Sequence, residues 1–176
     1  MAACRGGEKT PAAAYAKFAR AVTERDPGAL FDALDQPTRW AFISVQKWHR
    51  EAYDIVLSNY PEGPAREREL RRFEKGATAS SAREMFKAEV APALLPMLTS
   101  LVVRDPPIEV EPPGDVAEAV LPGGGRVRLG RGPRGGWGFA GLAAQAEERN
   151  ARAYHDLELV RQSAADYERA AARATP

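Results

Sequence analysis

Residues 10–42 read TPAAAYAKFARAVTERDPGALFDALDQPTRWAF, and this stretch predicts three consecutive helices. Each helix has a proline near its start, at Pro11, Pro27 and Pro37, where a missing backbone N–H does no harm. Thr10 is a good N-cap for the first of them. Because the connections are only a residue or two long, the helices must fold back on each other as a layer. Such a layer needs a partner that covers its apolar side.

The predicted helices cover residues 11–25, 27–34 and about 37–58. Apolar side chains recur at helical spacing on one face of the first and of the third helix. On that basis Phe18 and Trp48 are predicted core residues of the helical layer. Two further helices are predicted: a highly charged one over residues 65–75, and one that begins with a capping box after Ser81.

From Leu101 onward the apolar period changes to two, which indicates strands. Proline- and glycine-rich breaks separate them and predict an antiparallel meander. The candidate strands are Leu101–Arg104, Ile108–Glu111, Val116–Leu121, Arg126–Gly130 and Gly136–Phe139. For the hairpin around Gly123, pairing Val120 with Val127 puts valines on the buried face and leaves the neighbouring alanines on the wet face with the arginines. The acidic residues nearby predict cross-strand neutralisation of these arginines, although an anionic lipid headgroup or glycan is an alternative partner.

A helix, the segment RDPGALFDALDQPTR at residues 25–39 and a longer aromatic helix together resemble nuclear transport factor 2-like domains. The likeness is greatest to the small bacterial envelope lipoproteins that carry such domains. The resemblance covers about residues 10–57 and, more loosely, 108–139. It implies an α+β fold in which an N-terminal helical layer packs on a curved antiparallel sheet as a cone with a pocket at its wide end. Residues 58–98 depart from the family pattern and are interpreted as a helical insertion.

The expected domain organisation has three parts. Residues 1–9 are interpreted as a lipoprotein-type tether, residues 10–140 as the α+β domain with its insertion, and residues 141–176 as a long C-terminal helix. Cys4 is the only cysteine, and it follows two alanines and precedes a polar glycine-rich stretch. This context resembles the end of a lipoprotein signal peptide, in which the cysteine carries the lipid. The alternative is an ordinary N-terminus with a chance cysteine.

The C-terminal segment from Gly141 to about Arg173 contains no proline and predicts one long helix. One face of this helix has the spacing of a heptad repeat, which suits a neighbouring helix. This seam consists of Ala146, Asn150, Ala153, Leu157, Val160, Ala164, Tyr167 and Ala171. Asn150 interrupts the seam, and a polar residue at such a position commonly sets register. The helix is expected either to pack on its own domain or to serve a partner or a second copy. The candidate partner surface consists of Leu157, Val160, Ala164 and Tyr167.

Chemistry is weakly marked in this sequence. The two histidines are far apart and the single cysteine is near the terminus, so no metal-ligand spacing exists, and no cofactor motif was found. No catalytic residue is identified. The candidate pocket residues of the cone are Tyr15, Trp48, His49 and Tyr53. Some enzymes of the superfamily use a His, Asp or Tyr in the cone as an acid or base, but His49 on an apolar face is more simply a core histidine.

Three function classes remain open at this level. The leading hypothesis is a non-enzymatic, lipid-anchored envelope protein that faces the periplasm, is held to the membrane through Cys4, and binds an envelope protein or a second copy through its C-terminal helix. The alternatives are a small-molecule-binding or isomerase-type cone and a soluble cytoplasmic interaction module. A formal net charge of +1 argues against a dedicated nucleic-acid-binding protein.

Overall fold

A computed structural model describes residues 7–111 and 114–174. These residues form seven α-helices and one turn of 3₁₀ helix: α1 (Pro11–Thr23), α2 (Pro27–Ala33), α3 (Gln36–Asn59), α4 (Pro64–Thr78), α5 (Ala82–Glu89), α6 (Ala91–Leu98), the 3₁₀ turn (Thr99–Leu101) and α7 (Ala143–Ala174). The strands are β1 (Ile108–Glu111), β2 (Val116–Val120), β3 (Arg126–Arg131) and β4 (Trp137–Phe139). They form one curved antiparallel sheet in the order β1-β2-β3-β4. The predicted α+β class and the long C-terminal helix are confirmed.

The contacts divide the chain into two compact units. The first unit contains the described residues up to Trp40 and those from Phe86 to Ala146. The second contains Ala41–Met85 and the described residues from Glu147 onward. The predicted domain boundaries stay a prediction.

In the first unit, α1 packs on the inner face of the sheet, most extensively against β4. Phe18 is fully buried and stacks on Phe139, with 4.2 Å between the ring centroids. The predicted caps start these helices: Thr10 Oγ1 accepts from the Ala13 N–H at 3.2 Å, and Asp26 Oδ1 accepts from the N–H groups after Pro27. Phe18 is therefore a core residue, as predicted, and its packing fastens the helix to the sheet.

In the second unit, α3 from Ala41 onward packs with α4 and α7 around one apolar cluster. The buried members of this cluster are Ala52, Val56, Tyr60, Phe73, Leu157, Val160 and Ala164. The prediction that the whole third helix belongs to the layer on the sheet is corrected here, because most of α3 has its apolar stripe covered by helices. Trp48 is only partly buried at the edge of this cluster, so its predicted place in the core of the layer is wrong.

The register of the β2–β3 hairpin differs from the prediction by one residue. Ala119 pairs with Val127 and Ala117 pairs with Leu129, and all four side chains are buried. A shift of one residue exchanges the two faces of a strand, so the alanines lie inside and Val116 and Val120 share the outer face with the arginines. The physical reason is space, because α1 contacts β2 and alanine admits a close approach of a helix to a strand.

One predicted strand and the predicted end of one helix are wrong. Leu101–Arg104 is no strand: the backbone there follows a 3₁₀ turn, and its polar groups bond to a tyrosine side chain instead of a neighbouring strand. The charged helix predicted over residues 65–75 continues past Gly76, because α4 ends at Thr78. A Cβ atom at Gly76 would clash with the ring of His49, so this glycine allows a close approach between α4 and α3.

Candidate functional site

The four candidate pocket residues are not one cluster within either unit. Tyr15 belongs to the first unit, and Trp48, His49 and Tyr53 belong to the second. Tyr15 is buried, with 4% of its surface exposed, whereas the other three are partly buried.

Tyr15 holds the segment that follows α6. Its hydroxyl donates toward the carbonyl oxygens of Leu101 and Val103 at 3.3 and 3.0 Å, and it accepts from the Val103 N–H at 2.9 Å. These bonds tie an irregular stretch of backbone to the middle of α1. Tyr15 is a predicted pocket residue, and the additional finding is that its hydroxyl organises one wall of a groove.

Between α1 and the segment held by Tyr15 lies an open groove of about 700 Å³, which we call the α1 groove. From Ala12 to Glu24 its helical side is about 18 Å long at 1.5 Å per residue. Small and apolar side chains form most of its surface. The lining residues are Ala12, Tyr15, Ala16, Ala19, Arg20, Thr23, Glu24, Val102, Val103, Arg104, Asp105, Pro106 and Ile108.

Four charged residues of the α1 groove balance in sign. Arg104 Nε and Asp105 Oδ2 lie 3.7 Å apart, and both side chains are almost fully exposed, so their attraction is weak. Among the described residues, the guanidinium of Arg20 makes no hydrogen bond or ion pair, and Glu24 has no ion pair. The groove therefore combines an apolar surface with one cation and one anion that are available to a bound molecule.

The aromatic residues predicted for the pocket have structural roles in the second unit. The indole of Trp48 donates to Asn150 at 3.0 Å and meets the Tyr154 ring edge-on, with 5.5 Å between centroids. The ring of His49 lies against Phe73, with centroids 5.8 Å apart. Tyr53 packs against the apolar cluster. These contacts hold α3, α4 and α7 together.

The candidate partner surface on α7 is largely covered by the chain itself. Leu157, Val160 and Ala164 are 0%, 2% and 6% exposed and belong to the cluster with α3 and α4. Tyr167 is partly buried and meets the Tyr60 ring edge-on at 4.9 Å. The seam does pack on a neighbouring helix, as its spacing suggests, but that helix lies in the same unit, which corrects the expectation that these side chains are presented to another molecule.

Comparison with protein-family models, with curated proteins and with solved structures found no match to this chain. The resemblance to nuclear transport factor 2-like domains therefore stays a prediction from the sequence. Cys4, the predicted lipid attachment site, lies outside the described residues. Every helix among residues 7–111 and 114–174 is too short or too polar to cross a lipid bilayer. Over the same residues, His, Asp and Glu side chains form no group of three that could hold a metal ion.

One buried carboxyl group was missed by the sequence analysis. Asp35 is 6% exposed, and its Oδ1 accepts from the Thr38 N–H at 3.0 Å, which makes it the N-cap of α3. Burial raises the pKa of the Asp35 carboxyl, and the bonds from Thr38 oppose that rise. The signal was present in the sequence, because Asp35 lies two residues before Pro37 at the start of α3, much as Asp26 directly precedes Pro27 at the start of α2. The backbone N–H of Asp35 also donates to the Phe139 carbonyl at 3.0 Å, so Asp35 joins the start of α3 to β4.

Proposed function

We propose that this chain is a non-enzymatic binding module of the bacterial cell envelope, held to the membrane by a lipid on Cys4. Its α1 groove is the binding site in this proposal. The observation that carries the proposal is the groove itself, which is largely apolar and has a helical side about 18 Å long at helical rise. The Ala-Ala-Cys sequence supports the anchor, because lipid-modified cysteines follow small residues in lipoproteins.

Tyr15 supports a binding role over a catalytic one. Its hydroxyl is already engaged with three backbone groups of Leu101 and Val103, which fix the wall of the groove. A proton-transfer role for this hydroxyl would require those bonds to open. Arg20 and Glu24 line the groove and make no ion pair with a described residue, so they suit recognition of a charged or dipolar partner.

The anchor is tested by fractionating the native host and measuring the mass of the Cys4 peptide. We expect a diacylglycerol adduct on Cys4 and recovery of the protein with membranes, since two acyl chains give stable anchoring. Cys4→Ser should release a folded protein into the soluble fraction, whereas Ala3→Gly, which keeps a small residue before the cysteine, should not. An unmodified Cys4 in the native protein overturns the anchor.

The groove is tested by placing a photo-reactive amino acid at Ala16, on its exposed helical side, and at Asp54, on the exposed side of α3 as a control. Cross-links to one envelope component from the Ala16 position alone are the expected result. A photo-reactive residue at Ala12, which also lines the groove, should give the same cross-link. Adding Ala16→Trp to the protein labelled at Ala12 should fill the groove and abolish that cross-link. Equal labelling from Asp54, or labelling that survives the tryptophan, contradicts the proposal.

A small-molecule site is the second candidate function. The observation in its favour is the volume of about 700 Å³, which lies within the range of small-molecule pockets. In that case the cross-linked species from the Ala16 position would be a low-molecular-weight compound rather than a protein.

A further inference from the structure

β1 is an edge strand, and its outward backbone groups can be assigned from the ladder. The Val120 N–H donates to the Pro107 carbonyl at 2.9 Å. Hydrogen-bonded and non-bonded pairs alternate in an antiparallel ladder, so Glu109 and Glu111 exchange the bonds with β2. The N–H and C=O groups of Ile108 and Val110 therefore point away from the sheet.

The two edge strands of the sheet, β4 and β1, differ in whether other parts of the chain bond to their outward backbone groups. On β4, Trp137 exchanges two backbone bonds with Glu8, of 2.9 and 2.7 Å, and the Phe139 carbonyl accepts from Asp35. On β1, no described residue makes a backbone bond to the outward groups of Ile108 or Val110. One edge is thus covered from within the chain, and within the described residues the other is open.

The open edge also leaves apolar side chains uncovered. Residues directly opposite in a ladder share a face, so Ile108 and Val110 lie on the same face as Ala119 and Ala117. The two alanines are fully buried, whereas Val110 is 55% exposed. Ile108 lines the α1 groove. The described residues thus leave the inner face of β1 uncovered at Val110, and the groove meets the open edge at Ile108.

The outer face of β1 carries negative charge. The guanidinium of Arg126 forms two ion pairs through its Nη1 atom, with Glu109 Oε2 at 3.0 Å and with Glu118 Oε2 at 2.6 Å. Glu111 is exposed and makes no ion pair with the described residues. An added strand would place alternate side chains beside these carboxylates, and basic residues fit there. A second copy of β1 would bring like charges together, which destabilises a strand pair.

We propose that β1 accepts an extended segment of a partner protein as a fifth strand. Alternate apolar residues of that segment enter the α1 groove beside Ile108, and the residues between them are basic and face Glu109 and Glu111. Backbone bonds to Ile108 and Val110 supply the pairing, as in other cases of strand addition. This inference rests on the proposed binding function of the α1 groove and specifies the chemistry of the partner segment that the groove binds.

The test uses the soluble Cys4→Ser chain, so its outcome is independent of the anchor. The probe is a library of heptapeptides with Val, Ile, Leu or Phe at odd positions and any residue at even positions. We expect recovered peptides to carry Lys or Arg at the even positions. They should lose about tenfold in affinity for Val110→Pro, which removes an outward N–H that β2 does not use. Val110→Thr keeps that N–H and is the matched control, with little expected change.

Two further measurements keep the test independent of folding. Unfolding curves of Val110→Pro and Val110→Thr establish that both variants are folded before binding is compared. In the wild-type chain, hydrogen exchange at the Ile108 and Val110 amides should slow when peptide is added. Glu111→Lys should weaken the basic peptides and flatten the salt dependence of binding.

Several outcomes overturn the strand proposal: no peptide recovered, no preference for basic residues, equal binding to Val110→Pro, or a wild-type dimer paired through β1. Its failure is distinguishable from failure of the groove. If Ala16→Trp abolishes cross-linking in cells while Val110→Pro leaves it intact, the groove binds its partner by another mode.

Discussion

The indole N–H of Trp48 donates a hydrogen bond to Oδ1 of Asn150 over 3.0 Å, across 102 positions of sequence. The bond joins α3 to α7 inside the second unit, and both residues are partly buried. Because it is a directional contact in an otherwise apolar, alanine-rich seam, it selects which turn of α7 lies beside Trp48. The polar interruption at Asn150 that the sequence analysis noted thus has a specific partner.

Removing either side of this bond should lower stability. Asn150→Ala and Trp48→Phe are each expected to cost about 1 kcal/mol in the free energy of unfolding. The double variant should cost less than the sum, because both changes remove the same interaction. Urea unfolding measures all three. Asn59→Ala, which loses an exposed bond to Glu168, is the control with a smaller expected effect. Strict additivity would show that the bond does not contribute.

The burial of the α7 seam predicts different outcomes for two leucines two residues apart. Leu157 is fully buried and Leu159 is 44% exposed. Leu157→Ala should destabilise the chain by about 2 to 5 kcal/mol through lost burial and a cavity, and Leu159→Ala should have little effect. Thermal unfolding distinguishes them. If Leu157→Ala unfolds like the wild type, the seam is not held by its own chain and a partner surface there regains support.

Gly76 is expected to be intolerant of a side chain although it lies inside a helix. Alanine favours a helix over glycine by about 1 kcal/mol, yet overpacking against His49 should cost about 1 to 3 kcal/mol and decide the sign. Gly76→Ala should therefore destabilise. In a His49→Ala background the same substitution should become neutral or stabilising, because the ring is gone. Denaturant midpoints of the four proteins check this, and an unchanged effect in both backgrounds would refute the packing explanation.

The pKa of Asp35 is raised in the folded chain, so the native state holds its proton to a higher pH than the unfolded state. This group should therefore lower stability as pH rises from the unfolded pKa through the folded one. Asp35→Asn should remove that pH dependence and keep an acceptor for Thr38. Asp35→Ala should lose the cap and cost about 1 kcal/mol. Unfolding free energies from pH 4 to pH 8 test this, and a parallel profile for Asp35→Asn would contradict it.

The observed hairpin register predicts which strand positions tolerate size. Ala119 is fully buried on the face that α1 covers, so Ala119→Leu should overpack and cost about 1 to 3 kcal/mol. Val120 is on the outer face beside Arg126, so Val120→Thr should cost much less. The predicted register demands the reverse order. Unfolding of the two variants therefore discriminates between the registers.

Local signals predicted the helix starts and most strand positions. Thr10 and Asp26 cap the helices that begin at Pro11 and Pro27, because these interactions lie within a few residues of each other. The strands from Ile108 onward also follow local alternation and turn residues. The predictions that failed concern positions whose structure depends on residues far away in the sequence. Gly76 lies inside a helix, and a side chain there would clash with a histidine 27 positions earlier, a contact that no local rule contains.

The candidate site was predicted less well for the same reason. Tyr15 was singled out, but the groove it shapes needs the segment 86 to 88 positions away to which its hydroxyl bonds. Trp48, His49 and Tyr53 were grouped with it because all four are aromatic or titratable on helical faces. The pattern of one helix face does not reveal which other helix covers that face. For α7 the sequence left open whether its seam packs on its own domain or serves a partner, and the seam packs in its own unit.

The discontinuity of the second unit has a consequence for synthesis on the ribosome. Ala52, Val56 and Phe73 emerge early, whereas Leu157 emerges only after every strand of the sheet has been translated. During that interval the nascent α3 and α4 expose an apolar surface that lacks its third helix. Exposed surface of this kind is where chaperones act and where aggregation starts. The second unit can therefore complete its folding only after translation has reached α7, even though most of its residues are made much earlier.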